Sequence, residues 1–103
     1  MLVSELDSIL PGFAAYYQSD ENLFDTRTSC AVFAACSHFV WGQPVADEAW
    51  SRLAAVVNRD AAGSDEVASE AACTCLLENL ADPSHPLKRY LEGDAIRYWI
   101  AWE

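Results

Sequence analysis

The stretch SDEVASEAACTCLLENLAD, residues 64–82, decides the fold of this chain. Its apolar residues recur at intervals of three and four, which is the spacing of one face of an α-helix. At about 100° per residue, they gather on one side of the helix axis. The residues on that side are Ala68, Ala72, Cys73, Cys75, Leu76 and Leu80. The pattern predicts a helix over 65–81, capped by Ser64, with one face in a protein core.

The opposite face of this helix is acidic. We use the term acidic row for the residues Glu66, Glu70, Glu78 and Asp82. They follow one another in steps of four, with Thr74 at the position between the two pairs. Carboxylates four apart on a helix repel by about 0.2–0.5 kcal/mol per pair, and no Lys or Arg occurs between Arg59 and Lys88. The row is therefore predicted to face a cationic partner outside the chain.

Other helical patterns surround this stretch. Residues 2–10 and 13–17 show helical spacing on either side of a Pro-Gly break. A helix ending near Trp41 is apolar in nearly every direction, which predicts a central helix, whereas residues 50–57 show the single apolar face of a surface helix. We predict an all-α fold, with residues 1–103 forming a single-domain compact bundle of five or six helices. Residues 96–102 are predicted helical, with a terminal strand as the alternative.

The net charge limits the classes of partner. The chain of 103 residues has 16 Asp and Glu against 6 Lys and Arg, a net charge of -10. Such a charge repels nucleic acid and anionic lipid and speeds encounter with basic protein surfaces. We therefore expect a protein partner, no nucleic acid and no membrane. The competing interpretation is that the acidity serves only solubility.

The first residues and the cysteines bear on the compartment. Residues 1–7 carry acid where a signal peptide carries base, and no apolar run approaches the length of about 20 that spans a bilayer. The pairs Cys30 with Cys36 and Cys73 with Cys75 are six and two apart on predicted helices, so neither forms a natural local disulfide or chelate. We expect a cytoplasmic protein with reduced cysteines that serve as small core residues.

Candidate catalytic and metal-binding groups are few. His38 follows Cys36 by two residues, so their side chains diverge by about 200° around the helix axis and form no local dyad. The carboxylates lack the Glu-x-x-His element of helical di-metal sites, and the cysteines lack zinc-site spacing. The sequence therefore predicts no catalytic residue, no metal, no cofactor and no enzymatic activity. The alternative is a small enzyme that uses His38 or a carboxylate pair.

Two polar side chains near the end of the acidic stretch have predicted roles. Asn79 falls on the apolar side of its predicted helix, where an unpaired amide costs about 1–3 kcal/mol. It is therefore expected to bond to the Pro83 loop or to a neighbouring helix end. His85 stands between two prolines and is expected to be exposed.

The last helix is predicted to contribute to an interface. Ile96, Trp99 and Ile100 share one side, which is predicted to pack inward, while Tyr98 and Trp102 lie four apart on another side. Exposed aromatic residues beside a polar rim are typical interface anchors. Tyr98 and Trp102 are predicted to bind a partner together with the acidic row, unless both faces of this helix are covered.

Three segments carry a resemblance to a known class of proteins. They are the run Cys75-Leu-Leu-Glu-Asn-Leu80, the helix from Cys30 to Trp41 with His38-Phe39, and the aromatic tail from Arg97 to Glu103. The chain resembles the small acidic all-helical immunity proteins of bacterial polymorphic toxin systems. The resemblance implies a cytoplasmic toxin inhibitor that binds a cognate toxin domain tightly and blocks its active site or holds it inactive, as in a toxin–antitoxin pair.

The resemblance and the charge pattern together define the expected function. We expect a non-enzymatic immunity-type protein, a monomer or weak homodimer, that binds a toxin domain with a cationic surface. The partner-binding residues are predicted to be Glu66, Glu70, Glu78, Asp82, Tyr98 and Trp102. The alternative is a helical adaptor or homo-oligomeric interaction module whose acidity serves only solubility.

Overall fold

Six α-helices carry the fold in the computed structural model, which describes residues 2–19, 28–41 and 43–103. They are α1 (Leu2–Ile9), α2 (Phe13–Ser19), α3 (Ser29–Trp41), α4 (Asp47–Ala62), α5 (residues 66–80) and α6 (Gly93–Trp102). A 3₁₀ turn, Pro86–Tyr90, connects α5 to α6. No strand occurs in the described ranges, and the aromatic tail is helical. The all-α prediction is confirmed.

Helix α5 is continuous but not uniform. It begins as α-helix over Glu66–Glu70, widens to π-helix over Ala71–Leu77 and returns to α-helix over Glu78–Leu80. Its N-cap is Asp65, whose carboxylate accepts hydrogen bonds from the backbone N–H groups of Val67 and Ala68 at 3.0 and 3.2 Å. The predicted cap, Ser64, is therefore wrong by one residue, because a carboxylate one position later reaches both free N–H groups.

The π segment, defined as Ala71–Leu77, lies at the centre of the core. Every one of its residues is buried except Thr74. The segment contacts α3, α4 and α6. The sequence predicted α3 as the central helix, and α3 does bury Phe33 and Cys36, but its residues His38 and Trp41 are exposed. The centre of the bundle is therefore the π segment, with α3 packed against it.

Helix α4 follows its sequence pattern closely. Its apolar face, which includes Leu53 and Val57, is buried as predicted. Acidic residues occupy its first turn and Arg59 its last turn, which suits the helix macrodipole. The Arg59 guanidinium also binds both carboxylate oxygens of Glu5 at 2.7 and 3.0 Å, which joins α4 to α1.

The remaining elements are fastened to α4 and to one another by specific bonds. The Asn58 side chain of α4 donates to the carbonyl oxygen of Tyr90 at 3.1 Å and accepts from the N–H of Glu92 at 3.0 Å. Between α1 and α2, Gly12 has a φ of 95°, a left-handed conformation that glycine adopts without strain. The buried apolar residues form one core, and the Cα radius of gyration is 12.5 Å, close to the value of about 13 Å for a 100-residue domain.

A disulfide joins two distant parts of the chain. Cys30 in the first turn of α3 is bonded to Cys75 in the π segment, 45 residues later. The expectation of four reduced cysteines is therefore wrong. It considered only pairs within one helix, whereas packing of α3 on α5 brings the two Cα atoms to 5.3 Å. Within the described residues, no helix is long and apolar enough to cross a membrane.

Candidate functional site

The acidic row does not form one continuous stripe on α5. A π turn contains one residue more than an α turn, so it rotates the helix beyond it by about 100° relative to the regular α register. Glu66 and Glu70 precede the π segment, whereas Glu78 and Asp82 follow it. This rotation brings Glu78 to about 20° from the direction of Glu70, compared with about 80° in a regular α-helix. The prediction of four outward acids on one helix is wrong for another reason: Glu78 is half-buried, and Asp82 lies beyond the end of α5 at Leu80.

The first half of the row forms no ion pair among the described residues. Glu66 and Glu70 are exposed on the first part of α5. In residues 2–19, 28–41 and 43–103, the ion pairs involve other acids, namely Glu5, Asp60, Asp94 and Glu103. This half matches the prediction of outward carboxylates without internal partners.

Asp82 lies outside the helix that was predicted to contain it. Helix α5 ends at Leu80, and Asp82 is exposed in the turn that follows. One of its carboxylate oxygens accepts from the backbone N–H of Ser84 at 2.8 Å and from the Ser84 hydroxyl at 2.6 Å. These bonds hold the pKa of Asp82 below its ordinary value. Asp82 is an ionised turn residue and not a fourth member of a helical stripe.

Glu78 has an internal partner that the sequence did not reveal. The Tyr98 hydroxyl of α6 donates to Glu78 Oε2 at 3.0 Å, and the Thr74 hydroxyl lies 3.5 Å from the same Tyr98 oxygen. Burial, and then the Glu78 carboxylate, raise the pKa of Tyr98 above its ordinary value. Packing of α6 on α5 thus unites the acidic and aromatic parts of the predicted interface.

The aromatic part continues outward from this contact. The Trp102 ring lies 6.1 Å from the Tyr98 ring at 30° and is 53% exposed, while Tyr98 is half-buried. We use the term acid–aromatic patch for Thr74, Glu78, Tyr98 and Trp102. Tyr98 is therefore not an independent exposed anchor as predicted, because its ring supports Trp102 and its hydroxyl orients Glu78.

Other exposed apolar side chains were missed. Large hydrophobic residues other than Trp102 that face solvent are Trp41 (72%), Val67 (70%) and Ile100 (55%). Ile100 was predicted to pack inward with Trp99, but only Trp99 is fully buried. Val67 directly follows Glu66 and lies outside the apolar side of its predicted helix, which is a sequence signal for exposure. Nothing local to Trp41 indicates it.

His85 and Asn79 are both wrongly predicted, in opposite directions: His85 is less exposed than expected and Asn79 is more exposed. His85 is half-buried: its ring lies 5.0 Å from Trp50 and 5.6 Å from Trp99, and its Nδ1 accepts from the N–H of Leu87 at 3.1 Å. Burial lowers its pKa below the ordinary value. Asn79 is exposed and donates to the carbonyl oxygen of Cys75 in its own helix at 2.8 Å. The π segment rotates Asn79 off the apolar side, which explains the wrong prediction.

The thiols are poorly suited to nucleophilic chemistry. Cys36 is fully buried, and burial raises its pKa to about 12. Burial and the charge of Asp94 also raise the pKa of Cys73. Thiolate is the reactive form of cysteine, so both side chains are inert near neutral pH. His38 lies on the exposed side of α3.

A shallow, open groove of about 460 Å³ lies between α4 and the segment before α6. Its lining residues are Ser51, Ala55, Asn58, Arg59, Tyr90 and Glu92. Arg59 is already bound to Glu5 and Asp60, and the Asn58 side chain is bound to backbone groups of Tyr90 and Glu92. The polar groups of the groove are thus largely occupied within the fold. In the part of the chain that is described, no group of three His, Cys, Asp or Glu side chains is placed to hold a metal ion.

Comparison with known proteins adds no relative: no family model, no curated protein and no solved structure matches the chain.

Proposed function

We propose that the chain is a non-enzymatic immunity-type protein that binds and neutralises a cognate toxin domain through its acidic surface. The observation that carries the proposal is the acid–aromatic patch, in which Glu78, Tyr98 and Trp102 adjoin on two packed helices. Aromatic anchors beside charged groups are typical of protein interfaces. The patch sits on helices rather than on a loop, which reduces the entropy lost on binding.

The charge distribution supports a cationic partner. Glu66 and Glu70 are exposed and form no ion pair among the described residues, and the whole chain has a net charge of -10. A toxin domain that acts on nucleic acid has a cationic cleft, in which carboxylates can replace phosphates. Electrostatic steering then raises the association rate and charge matching contributes specificity.

We place this function in the bacterial cytoplasm, as the resemblance implies. The disulfide between Cys30 and Cys75 is unusual for that compartment. Disulfides are rare in cytosolic proteins, and those that occur there are usually transient, catalytic or redox-sensing. A cytoplasmic role therefore makes the disulfide a candidate for regulation.

A growth assay tests the proposal. The chain is co-expressed in a bacterial host with the product of each gene adjacent to its own. We expect one neighbour to arrest growth alone and to be neutralised by the chain. The variant Glu70→Lys/Glu78→Lys is expected to lose this protection, because it reverses charge in both halves of the acidic surface.

The matched control is Glu48→Lys/Glu92→Lys, which changes the net charge equally at two exposed acids on other elements. This variant is expected to protect as well as the unmodified chain, and circular dichroism verifies the fold of both variants. Absence of any toxic neighbour would contradict the proposal. Equal protection by both variants would remove Glu70 and Glu78 from the interface.

A second candidate function is a homo-oligomeric or adaptor module. The exposed side chains of Trp41, Val67 and Ile100 favour it, because such residues are common at self-association surfaces. Analytical ultracentrifugation distinguishes the two. A strict monomer at high protein concentration rules out the homo-oligomer, whereas a stable dimer disrupted by Ile100→Asp supports it.

A further inference from the structure

We infer that the Cys30–Cys75 disulfide is a redox-sensitive device that holds the acid–aromatic patch in its partner-binding arrangement, so that reduction of the disulfide weakens binding. The inference rests on the proposed function only in its last step, the effect on a partner. The earlier steps concern the free chain and can be tested on it alone.

The disulfide lies next to the patch in the sequence and in the helix. Cys75 directly follows Thr74 and precedes Glu78 by three residues. Both of these neighbours approach the Tyr98 hydroxyl, at 3.5 and 3.0 Å. The covalent bond from α3 is therefore attached to the helical turn that presents two of the four patch residues. Any movement of that turn changes the distances to Tyr98.

This π-helical turn depends on restraints from other elements of the chain. π-helical turns are rare, and they occur mostly as single insertions within α-helices, frequently at functional sites. Here the buried side chains of Leu76 and Leu77 anchor the π segment in the core, while the disulfide joins it to α3. Without the disulfide, apolar packing and the single bond from Tyr98 to Glu78 are left to oppose a return to α-helical register. That return would rotate Glu78 by about 100° relative to Glu70 and separate it from Tyr98.

A reductant can reach the bond from one side. Cys30 is exposed, whereas Cys75 is buried. The thiolate of a dithiol reductant attacks Cys30 Sγ, which forms a mixed disulfide and expels Cys75 as a thiolate that takes up a proton. The second thiol of the reductant then loses its proton and attacks the reductant's other sulfur, the one bonded to Cys30. Cys30 leaves as a thiolate and takes up a proton. Two electrons and two protons pass to the protein, and the reductant becomes a disulfide.

The other two cysteines do not interfere with this reaction. Exchange requires a thiolate, and burial raises the pKa of both Cys36 and Cys73. Cys73 therefore does not replace Cys75 as the partner of Cys30 near neutral pH, even though it lies two residues away. The device has two states: bonded Cys30–Cys75 or two separate thiols.

Hydrogen exchange on the free, full-length chain tests the structural step. Amide protection is measured by mass spectrometry with and without dithiothreitol at low temperature, and alkylation of a separate, denatured sample counts the free thiols. We expect two free thiols before reduction and four after it. Reduction should lower protection in peptides covering 71–80 by at least about tenfold more than in α4, whose protection falls only with the global stability. Unaltered protection in 71–80, four free thiols at the outset, or an equal loss throughout the chain would overturn the inference.

Binding to an oligolysine peptide, used as the cationic probe, tests the last step. We expect the oxidised chain to bind at least about fivefold more tightly than the reduced chain, the lower end of typical coupling between sites. In the oxidised chain, Tyr98→Phe should reproduce part of this loss because it removes the bond to Glu78 without touching the disulfide. Tyr90→Phe is the matched control, since Tyr90 lies outside the patch.

The two arms separate the two proposals. Equal affinity in both redox states overturns the redox inference, even if the chain does bind the probe. Absence of binding in both states, together with a redox-dependent change of protection in 71–80, overturns the cationic-partner proposal and supports the structural device.

Discussion

Helices α4 and α5 are neighbours in the sequence, and both read as amphipathic, yet only α4 has the structure that its pattern predicts. In α4, the residues spaced by three and four are buried and the helix is regular from Asp47 to Ala62. In α5, the π segment inserts one extra residue per turn in the middle of the helix. The comparison shows that an apolar period predicts a helix reliably but predicts its faces only while the period stays at 3.6 residues.

The reason lies in the surroundings of the two helices. One face of α4 remains in solvent, so a single buried stripe suffices. The π segment is in contact with three helices, and all its residues but Thr74 are buried. A regular α-helix presents too narrow an apolar stripe for three neighbours. The wider turn spreads Cys73, Cys75, Leu76 and Leu77 over more directions.

Deletion of a single exposed residue should show the largest difference between α4 and α5. Deleting Ala55 from regular α4 rotates Val57 and the rest of its buried face by about 100°. We expect a loss of about 4 kcal/mol or more in the free energy of unfolding, or no folding at all. Deleting Thr74 from the π segment should convert it to α-helix and cost only about 1–2 kcal/mol, because the flanking parts keep their places. Urea denaturation measures both, and equal losses would contradict the single-insertion interpretation.

Loss of the disulfide is the next largest effect. Closing a loop of 45 residues is worth about 4 kcal/mol in the chain-entropy treatment. The double variant Cys30→Ala/Cys75→Ala should lose about that much stability in urea denaturation and become insensitive to reductant. Cys73→Ala, which leaves the bond intact, is the control. If reductant does not change the stability of the unmodified chain, the covalent link between α3 and α5 is absent.

Two asparagines, one on α4 and one on α5, should differ in their smaller contributions to stability. Asn58 on α4 bridges backbone groups of Tyr90 and Glu92, so Asn58→Ala should cost about 1–3 kcal/mol by leaving partners unsatisfied. Asn79 on α5 is exposed and bonds only to its own helix, so Asn79→Ala should change stability by less than about 0.5 kcal/mol. Thermal melts of the two variants check the order, and a larger effect at Asn79 would place it in the core after all.

The smallest expected effect is a pH dependence at His85. Its half-buried ring lies between Trp50 of α4 and Trp99 of α6, and burial lowers its pKa in the folded state, against a weaker opposite effect of Asp82. The folded protein thus binds this proton less readily than the unfolded chain. The associated stability is present above the unfolded pKa of about 6.5 and is lost as pH falls from there toward the folded pKa.

The variant His85→Asn isolates this contribution. An Asn side chain can still accept the N–H of Leu87 as a cap but does not titrate. Urea denaturation between about pH 7 and pH 5 should show a shallower loss of stability in the variant than in the unmodified chain. Identical pH dependence in both would assign the effect to other groups.

The parts of the molecule that were predicted correctly depend on local patterns. The all-α class, the single apolar face of α4 and the helical aromatic tail all follow from spacing within one segment. The exposed carboxylates of Glu66 and Glu70 follow equally, because they precede the π segment. The candidate site was only partly predictable, since its residues were named but the bond between Tyr98 and Glu78 was not.

The sequence alone determined that this chain is an acidic all-helical protein, because helical period and net charge are local or additive properties. Tertiary structure alone decided the Cys30–Cys75 pairing, the burial of His85 and the register of Glu78. Each of these depends on which helices meet, and contacts between residues distant in sequence leave no trace in the period of either segment. The π segment is the clearest case, because three neighbouring helices must be in place before a wider turn becomes the better way to fill the core.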